Sequence, residues 1–245
     1  MQIVTIDVDQ ALPARVMDWM SQEERERATR FRCARSRQQF VTTRLALRAQ
    51  LGRRLGSRPA EVAFRYEDGG KPYVAELREQ GTEFSVSHSG ARSLIAISDS
   101  GDIGIDIEER RPIEVRELAA AYFTAAESAL LTGREEIACL ADFYRIWVRK
   151  EAAAKALGCG IGIGLDRFET VRHGLGLMGT WVRMPDGTLW PCRELRLDRR
   201  FEAVVVSRDI LPDRLVDISS WTPDEEGTSS IAAATAASPA CARIQ

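Results

Sequence analysis

Two acidic residues on one predicted strand have the spacing of metal ligands. Asp106 and Glu108 alternate with Ile103, Ile105 and Ile107, which is the period-two pattern of a β-strand with one buried face. Both carboxylates are therefore expected on the same face of the strand, where two like charges repel each other. Because a cation bound between two carboxylates relieves that repulsion, the pattern predicts a site for a hard metal ion.

A second segment adds another carboxylate and an ammonium group. Trp147, Glu151 and Lys155 follow one another at intervals of four residues in a sequence with strong helical character. Residues four apart lie on the same face of a helix, so an indole, a carboxylate and an ammonium group share one stripe. If the helix packs beside the acidic strand, a third oxygen ligand and a phosphate-binding cation approach the same point.

Lysine is scarce in this chain, and its three positions are informative. Of 34 basic residues only Lys71, Lys150 and Lys155 are lysines, and all the others are arginines. A lysine ammonium is a compact charge that can turn toward a phosphate oxygen, whereas an arginine presents a planar fork. The bias indicates that these sites need an ammonium group, although chance in an arginine-rich chain is an alternative.

The elements that must position these groups mix helices and strands, which predicts the α+β class. Capping boxes at Ser21 with Glu24 and at Thr124 with Glu127 each open a helix, and another helix is predicted from about Ser36 to Leu55. On that helix Arg44 and Arg48 lie within an apolar stripe, so each needs a buried carboxylate or an anionic ligand. Further predictions are a strand at Val62–Tyr66, strands at Phe84–Ser87, Leu94–Ser98 and Ile103–Ile107, helices at Val115–Tyr122, Thr124–Leu131 and Ile137–Leu157, and a strand-rich region at Phe168–Ser220.

Composition and charge limit the possible environments and partners. The formal net charge of −2 argues against a general nucleic-acid or membrane-surface binder, although residues 25–58 contain eleven arginines and one acid. Five scattered cysteines without paired spacing suggest reduced thiols. No stretch reaches the roughly 20 apolar residues that span a bilayer, and no signal peptide is evident. We expect a cytoplasmic protein with a disordered Ala-, Ser- and Thr-rich tail at residues 221–245.

Four motifs stand out along the chain: Gly70-Lys71-Pro72, Phe84 to Ser89, Gly104 to Glu108, and Trp147 to Lys155. Together they resemble the 4'-phosphopantetheinyl transferases of the Sfp type. Their order and spacing match that family over roughly residues 1–220, and the set is far more specific than any one motif.

The resemblance implies a fold and a reaction. The fold would be α+β, with two similar halves at residues 1–111 and 112–220 and the active site in the cleft between them. The reaction would transfer the 4'-phosphopantetheine arm of coenzyme A to a serine hydroxyl of a carrier protein, releasing adenosine 3',5'-bisphosphate. Coenzyme A would be the co-substrate and Mg²⁺ the metal, with Mn²⁺ also possible because it accepts the same oxygen ligands.

The resemblance also assigns roles to individual residues. Asp106, Glu108 and Glu151 would hold the metal, and Lys155 would stabilise negative charge during transfer. Glu151 is also the candidate general base. Residues matching coenzyme A contacts are Lys71, Ser87, His88 and Lys155, and the basic N-terminal region would meet the 3'-phosphate through Arg35 or Arg44, with Arg27 a third candidate.

Partners and competing functions follow from the same motifs. The protein itself would be a monomer. The partner would be an acyl carrier protein, a peptidyl carrier protein or a polyketide synthase carrier domain. Leu118, Tyr122 and Phe123 could form an apolar landing site for it beside three arginines, or could be ordinary core. A metal-dependent phosphohydrolase and a non-catalytic binding module are the alternatives, and the retention of all four acid and lysine positions favours an active enzyme. The three arginines are Arg110, Arg111 and Arg116.

Overall fold

The computed structural model describes residues 1–159, 163–171, 181–208, 217–223 and 229–233. Helices and strands mix as the α+β prediction requires. The elements in chain order are β1 (Gln2–Asp7), α1 (Gln22–Thr29), α2 (Ala34–Leu55), β2 (Arg65–Tyr66), β3 (Pro72–Tyr73), α3 (Ala75–Glu79), β4 (Glu83–Ser89), β5 (Arg92–Ser98), β6 (Ile103–Glu109), α4 (Val115–Tyr122), α5 (Ala125–Leu131), α6 (Glu136–Ala156), β7 (Glu169–Val171), β8 (Trp181–Arg183), β9 (Leu189–Glu194), β10 (Phe201–Ser207), β11 (Asp217–Pro223) and β12 (Ser229–Ala233).

Local capping signals define the helix boundaries. Ser21 accepts a hydrogen bond from the Glu24 amide at the start of α1, and the Glu24 carboxylate accepts one from the Ser21 amide in return. Thr124 and Glu127 form the same reciprocal box at α5. At the other end of α2, Gly56 adopts a left-handed conformation with φ of 65°, which only glycine adopts without strain. Both predicted capping boxes are thus confirmed.

Two five-stranded sheets each pack against one long helix. The first has the order β12-β11-β1-β5-β4 and the second the order β6-β10-β9-β8-β7. Helix α2 covers the first sheet through a core that includes Leu45, Leu51 and Phe84, while α6 covers the second through a stripe of alanines. These two helix-on-sheet layers give the chain its pair of similar halves.

A third core cluster lies between the sheets. Ile105 from β6 and Val205 from β10 bury their side chains there with Ile3 and Ala96 from the first sheet. All four are fully excluded from solvent, with relative exposures of 0%. This shared core holds the edge strands β4 and β6 next to each other, although they belong to different sheets.

The seam between β4 and β6 is bridged by serine hydroxyls. The two strands exchange no backbone ladder; instead three β4 serines accept hydrogen bonds from β6 amides, each twenty residues further along the chain. The bonds run from the Ile105, Ile107 and Glu109 amides to the hydroxyls of Ser85, Ser87 and Ser89, at 3.1, 3.3 and 3.0 Å.

Two element predictions are corrected by the structure. In place of a strand at Val62–Tyr66, a 3-10 turn at Pro59–Glu61 leads to a strand of only two residues. The reason is Arg48, whose guanidinium takes the carbonyls of Pro59 and Val62 as hydrogen-bond acceptors. Those carbonyls are then not used in a sheet ladder.

The disordered-tail prediction is also wrong for part of residues 221–245. Strand β11 pairs in parallel with β1, and β12 extends the same sheet, so residues 221–223 and 229–233 have regular structure. Trp221 is 1% exposed and belongs to the core under α2. Residues 224–228 and 234–245 lie outside the described part of the chain. The division after residue 111 stays a prediction.

Among the described helices, none combines the length and apolarity that crossing a lipid bilayer requires.

Candidate functional site

Glycine at position 104 lets α6 approach β6 closely. A Cβ atom built on Gly104 would lie 2.6 Å from the Ala156 nitrogen and closer still to the Ala152 carbonyl oxygen. Small side chains on the helix, including Ala152 and Ala153, complete the contact. Glu151 and Lys155 flank this contact on α6, which therefore carries both to Asp106, two residues further along β6.

Asp106 is the centre of the resulting cluster. Its Oδ1 atom accepts hydrogen bonds from Ser87 Oγ at 2.7 Å and from Lys155 Nζ at 2.6 Å. Lys155 also donates to Ser87 Oγ at 2.9 Å, so the three side chains form a closed triangle. The second oxygen, Oδ2, is buried and has no hydrogen-bond partner among the described residues.

Glu108 and Glu151 are destabilised as carboxylates by their surroundings. Burial, assisted by the charge of Asp106, raises the pKa of Glu108 to about 7 from its ordinary 4.5. A hydrogen bond from Ser89 Oγ to Glu108 Oε2 at 2.8 Å acts in the opposite direction. Burial and then the charge of Asp106 also raise the pKa of Glu151. The two glutamates and Asp106 thus share one electrostatic environment.

The residues fit a hard cation by the chemistry of their donor atoms. In the described part of the chain, no three acidic, histidine or cysteine side chains are already gathered tightly around one point, and Lys155 is the cation in contact with Asp106. However, a buried carboxylate oxygen without a partner is costly, and carboxylates with raised pKa values repel one another. A divalent cation would relieve both costs, and oxygen ligands suit Mg²⁺.

The raised pKa of Glu108 predicts a pH-dependent stability in the metal-free protein. Because the folded state holds this proton up to about pH 7 and the unfolded state releases it near pH 4.5, the folded state binds more protons in between. Stability from this group therefore falls as pH rises through that window. In a chelator, we expect Glu108→Gln to exceed the wild type in melting temperature at about pH 8 and to match it at about pH 4. A difference that does not change with pH would contradict this prediction.

Two of the three lysines line one small cavity. Lys71 and Lys155 border a space of about 190 Å³ together with Pro72 and Gly158. Lys71 Nζ donates to the carbonyl of Ala156 at 3.3 Å, at the carboxyl end of α6. The β2–β3 turn that carries Lys71 is held there because Gly69 contacts the Gly158 backbone closely. The two lysines therefore line the same cavity.

The expectation that every retained lysine turns toward a phosphate is wrong for Lys150. This side chain is fully buried, pairs with Glu127 at 2.5 Å and donates to the carbonyls of Leu165 and Phe168. Burial lowers the pKa of Lys150, while the charge of Glu127 opposes the shift. Its role is structural, because it joins α6 to the capping box of α5 and to the segment before β7.

The two arginines within the apolar stripe of α2 differ in whether their donors are already used by the protein. Arg48 is 2% exposed and uses its donors on Glu24 and on three carbonyls, which confirms a structural ion pair. Arg44 lies over the Phe64 ring and contacts Tyr66 and, at 3.6 Å, Glu24. Its Nη1 atom is buried with no partner among the described residues, and burial lowers the pKa of Arg44.

Arg35, by contrast, pairs with Asp9 on the surface. The described contacts of Arg35 and Arg44 lie apart from the Asp106 cluster. Arg27 lines a neighbouring cavity of about 630 Å³ with Glu24, Arg48 and Tyr66.

His88 lies at the surface beside the cluster. The surrounding protein partly desolvates its ring, and this effect, followed by the charge of Lys155, lowers the pKa of His88. A neutral imidazole near an ammonium group can still donate one hydrogen bond to an anion.

Of the three apolar residues before α5, one is buried core and two are half-buried. Phe123 is 5% exposed, stacks on Phe143 and has the Lys150 ammonium over its ring. Leu118 and Tyr122 are half-buried at the edge of the same cluster. Trp147 meets Tyr122 edge-on and stacks on Phe143, so it is a packing residue. For Phe123 the core reading is therefore correct.

The sequence-based prediction missed Ser89, which touches Glu108. A signal was present, because serines at every second position of residues 85–89 match the alternation of Gly104, Asp106 and Glu108 at a constant separation of nineteen residues.

Comparisons with known proteins agree with this geometry. Residues 102–183 match the family model described as the 4'-phosphopantetheinyl transferase superfamily, and residues 10–100 match the model for the 4'-phosphopantetheinyl transferase N-terminal region. The first match includes all of β6 and α6, and the second includes α2 and β4.

Individual relatives extend the similarity. The 4'-phosphopantetheinyl transferase HetI of Nostoc sp. is 38% identical over 144 residues, and a Synechocystis sp. relative is 36% identical over 149 residues. These matches cover 58% and 60% of this chain and 61% of each relative's length. The 4'-phosphopantetheinyl transferase Sfp of Bacillus subtilis is 30% identical over 172 residues, covering 70% of this chain and 74% of the relative.

Proposed function

This chain belongs to the 4'-phosphopantetheinyl transferase superfamily, and from that premise we propose that it transfers the 4'-phosphopantetheine arm of coenzyme A to a carrier-protein serine. The observation that carries the proposal is the cluster of Asp106, Glu108, Glu151 and Lys155 where α6 meets β6. In this reaction the serine oxygen forms a new bond to the β-phosphorus of coenzyme A. The bond from that phosphorus to the leaving adenosine 3',5'-bisphosphate breaks, and the serine proton passes to a base.

The residues of the chain have distinct parts in this reaction. Asp106, Glu108 and Glu151 would hold Mg²⁺ or Mn²⁺. When bound, the metal would neutralise negative charge on the pyrophosphate of coenzyme A. Lys155 stabilises charge that develops on the transferring phosphoryl group, because its ammonium is already oriented by Asp106 and Ser87. Glu151 accepts the serine proton, directly or through water.

The coenzyme A contacts we propose begin at the small cavity between Lys71 and Lys155. From β4 we propose Ser87 and His88, beside the Asp106 cluster. His88 can donate a hydrogen bond to an anion, whereas Ser87 donates its proton to Asp106 and acts through Lys155, from which it accepts a hydrogen bond. For the 3'-phosphate, Arg44 is better supported than Arg35, because Arg44 keeps a buried nitrogen without a partner among the described residues, while Arg35 pairs with Asp9.

The role of Lys155 leads to a substitution test. Lys155→Arg should lower kcat/KM by about 10- to 100-fold, because a planar guanidinium cannot replace one ammonium that bridges Asp106 and Ser87 at 2.6 and 2.9 Å. Steady-state kinetics of carrier modification measure the loss. Wild-type kinetics in the variant would contradict the need for a compact ammonium.

The partner we propose is an acyl carrier protein, a peptidyl carrier protein or a polyketide synthase carrier domain. Leu118 and Tyr122 remain candidates for its landing surface, with Arg116 exposed nearby. Arg110 and Arg111 have carboxylate partners in Glu202 and Glu109. We expect a monomer, because one chain supplies both sheets and the seam between them. The described cysteines form no disulfide with one another, which supports a reducing compartment such as the cytoplasm.

Product analysis separates this function from its alternatives. Chromatography should detect adenosine 3',5'-bisphosphate only when the protein, coenzyme A, Mg²⁺ and an apo carrier are all present. A phosphohydrolase would cleave coenzyme A without a carrier, and a binding module would release no product. Either of those results would overturn the transferase proposal.

A further inference from the structure

The three serines of β4 make the same backbone contact with β6 but differ in the acceptor of their own hydroxyl protons. Each hydroxyl accepts a hydrogen bond from a β6 amide, as described above. Ser87 then donates to Asp106 Oδ1, and Ser89 donates to Glu108 Oε2 at 2.8 Å. Opposite Ser85, the corresponding β6 residue is Gly104, which has no side chain. Two of the three serines, Ser87 and Ser89, therefore contact a carboxylate, and Ser85 does not.

The hydrogen bond that each serine accepts from a β6 amide restricts the direction in which its own hydroxyl proton can point. A serine hydroxyl has one proton and two lone pairs. When the Glu109 amide at 3.0 Å occupies a lone pair of Ser89, the remaining directions for its proton are few, and one of them points at Glu108. The backbone of β6 thus orients the hydroxyl that in turn holds a β6 carboxylate.

Glu108 depends on this contact more than Asp106 does on Ser87. Asp106 Oδ1 has two donors, Ser87 and Lys155, so loss of one leaves the other. Within the described residues, Glu108 accepts one side-chain hydrogen bond, from Ser89. A glutamate side chain has three rotatable bonds, and fixing them without a partner costs rotamer entropy.

We propose that Ser89 is a positioning residue, which holds the Glu108 carboxylate in the orientation that receives the metal ion. The inference rests on the proposed function, in which Glu108 is a metal ligand. Ser89 acts only through Glu108, as outer hydrogen-bond partners of metal ligands do elsewhere. Substitution of such partners lowers metal affinity by about 10- to 100-fold.

Binding of Mn²⁺ alone to the whole chain tests the proposal without using activity. Free Mn²⁺ is counted by electron paramagnetic resonance in titrations of the wild type, Ser89→Ala, Ser89→Thr and Ser85→Ala. We expect Ser89→Ala to raise the Kd about tenfold or more, and Ser89→Thr to recover most of the affinity because it keeps the hydroxyl. Ser85→Ala is the matched control: it removes the same kind of link to β6 but no carboxylate contact, so its Kd should stay within about twofold of wild type.

Several results would overturn the positioning role. They are wild-type affinity in Ser89→Ala, an equal loss in Ser85→Ala, or no Mn²⁺ binding by the wild type. If Ser89→Ala fails to fold, Ser89→Cys, with a weaker donor of similar size, must show an intermediate Kd or the proposal fails. Carrier modification by the wild type is measured separately, so that failure of the transferase proposal is recognised independently of the role of Ser89.

Discussion

Replacing Glu151 by glutamine is expected to reduce transfer by about 100-fold or more while leaving the fold intact. The substitution keeps size and removes one of the three charges that would hold the metal, together with the candidate base. The Glu151 carboxylate has no hydrogen bond or ion pair in the described part of the chain, and its pKa is raised by burial and by Asp106. Removing the charge should therefore leave the melting temperature of the metal-free protein unchanged or slightly higher.

The measurement for Glu151→Gln is kcat with a fixed apo carrier, paired with thermal unfolding in a chelator. Glu136→Gln is the matched control, because it makes the same change at an exposed position on the same helix. The control should have wild-type turnover. Near-normal turnover in Glu151→Gln would remove Glu151 from both of its proposed roles.

Adding one methyl group at Gly104 is expected to have the largest effect on stability. The new Cβ would overlap the backbone of α6 at Ala152 and Ala156, and backbone atoms cannot rotate away as a flexible side chain can. Overpacking of this kind costs about 3 kcal/mol or more, which corresponds to a melting temperature lower by about 6 to 12 °C in a chain of this size.

The helix shift caused by Gly104→Ala should also impair transfer, because Glu151 and Lys155 move with α6. Ile107→Val on the same strand is the control; it removes a buried methyl group on the face away from α6. We expect that control to lose about 1 kcal/mol and to keep its activity. Gly104→Ala with wild-type stability and turnover would show that the close approach of α6 is not needed.

Local patterns in the sequence were sufficient for the elements that carry the site. The alternation of Ile103, Ile105 and Ile107 located β6, and reciprocal capping located α1 and α5, because these signals act within a few residues. The shared face of Asp106 and Glu108 followed from the period of two alone. The packing of α6 against β6 then brings Lys155 into contact with Asp106 and places Glu151 within reach of the charge of Asp106, as the spacing of Glu151 and Lys155 allowed.

Features that depend on contacts between residues far apart in sequence could not be predicted from local sequence patterns. Lys150 has the look of a site residue in sequence, but its partner Glu127 lies on another helix and makes it structural. Trp221 stands in a segment of disorder-like composition, yet β11 pairs with β1, more than 200 residues away in sequence. The choice for Arg48 between ion pair and ligand likewise depended on carbonyls brought to it by a 3-10 turn.

The intact mass of an apo carrier protein, after incubation with this chain and coenzyme A, tests the central claim most directly. Two reactions are compared, one with Mg²⁺ and one with a chelator. The carrier should gain the mass of one phosphopantetheine arm in the first reaction and remain unchanged in the second. An unchanged mass across acyl, peptidyl and polyketide synthase carriers, under conditions where the chain binds coenzyme A, would contradict the assignment of transferase activity.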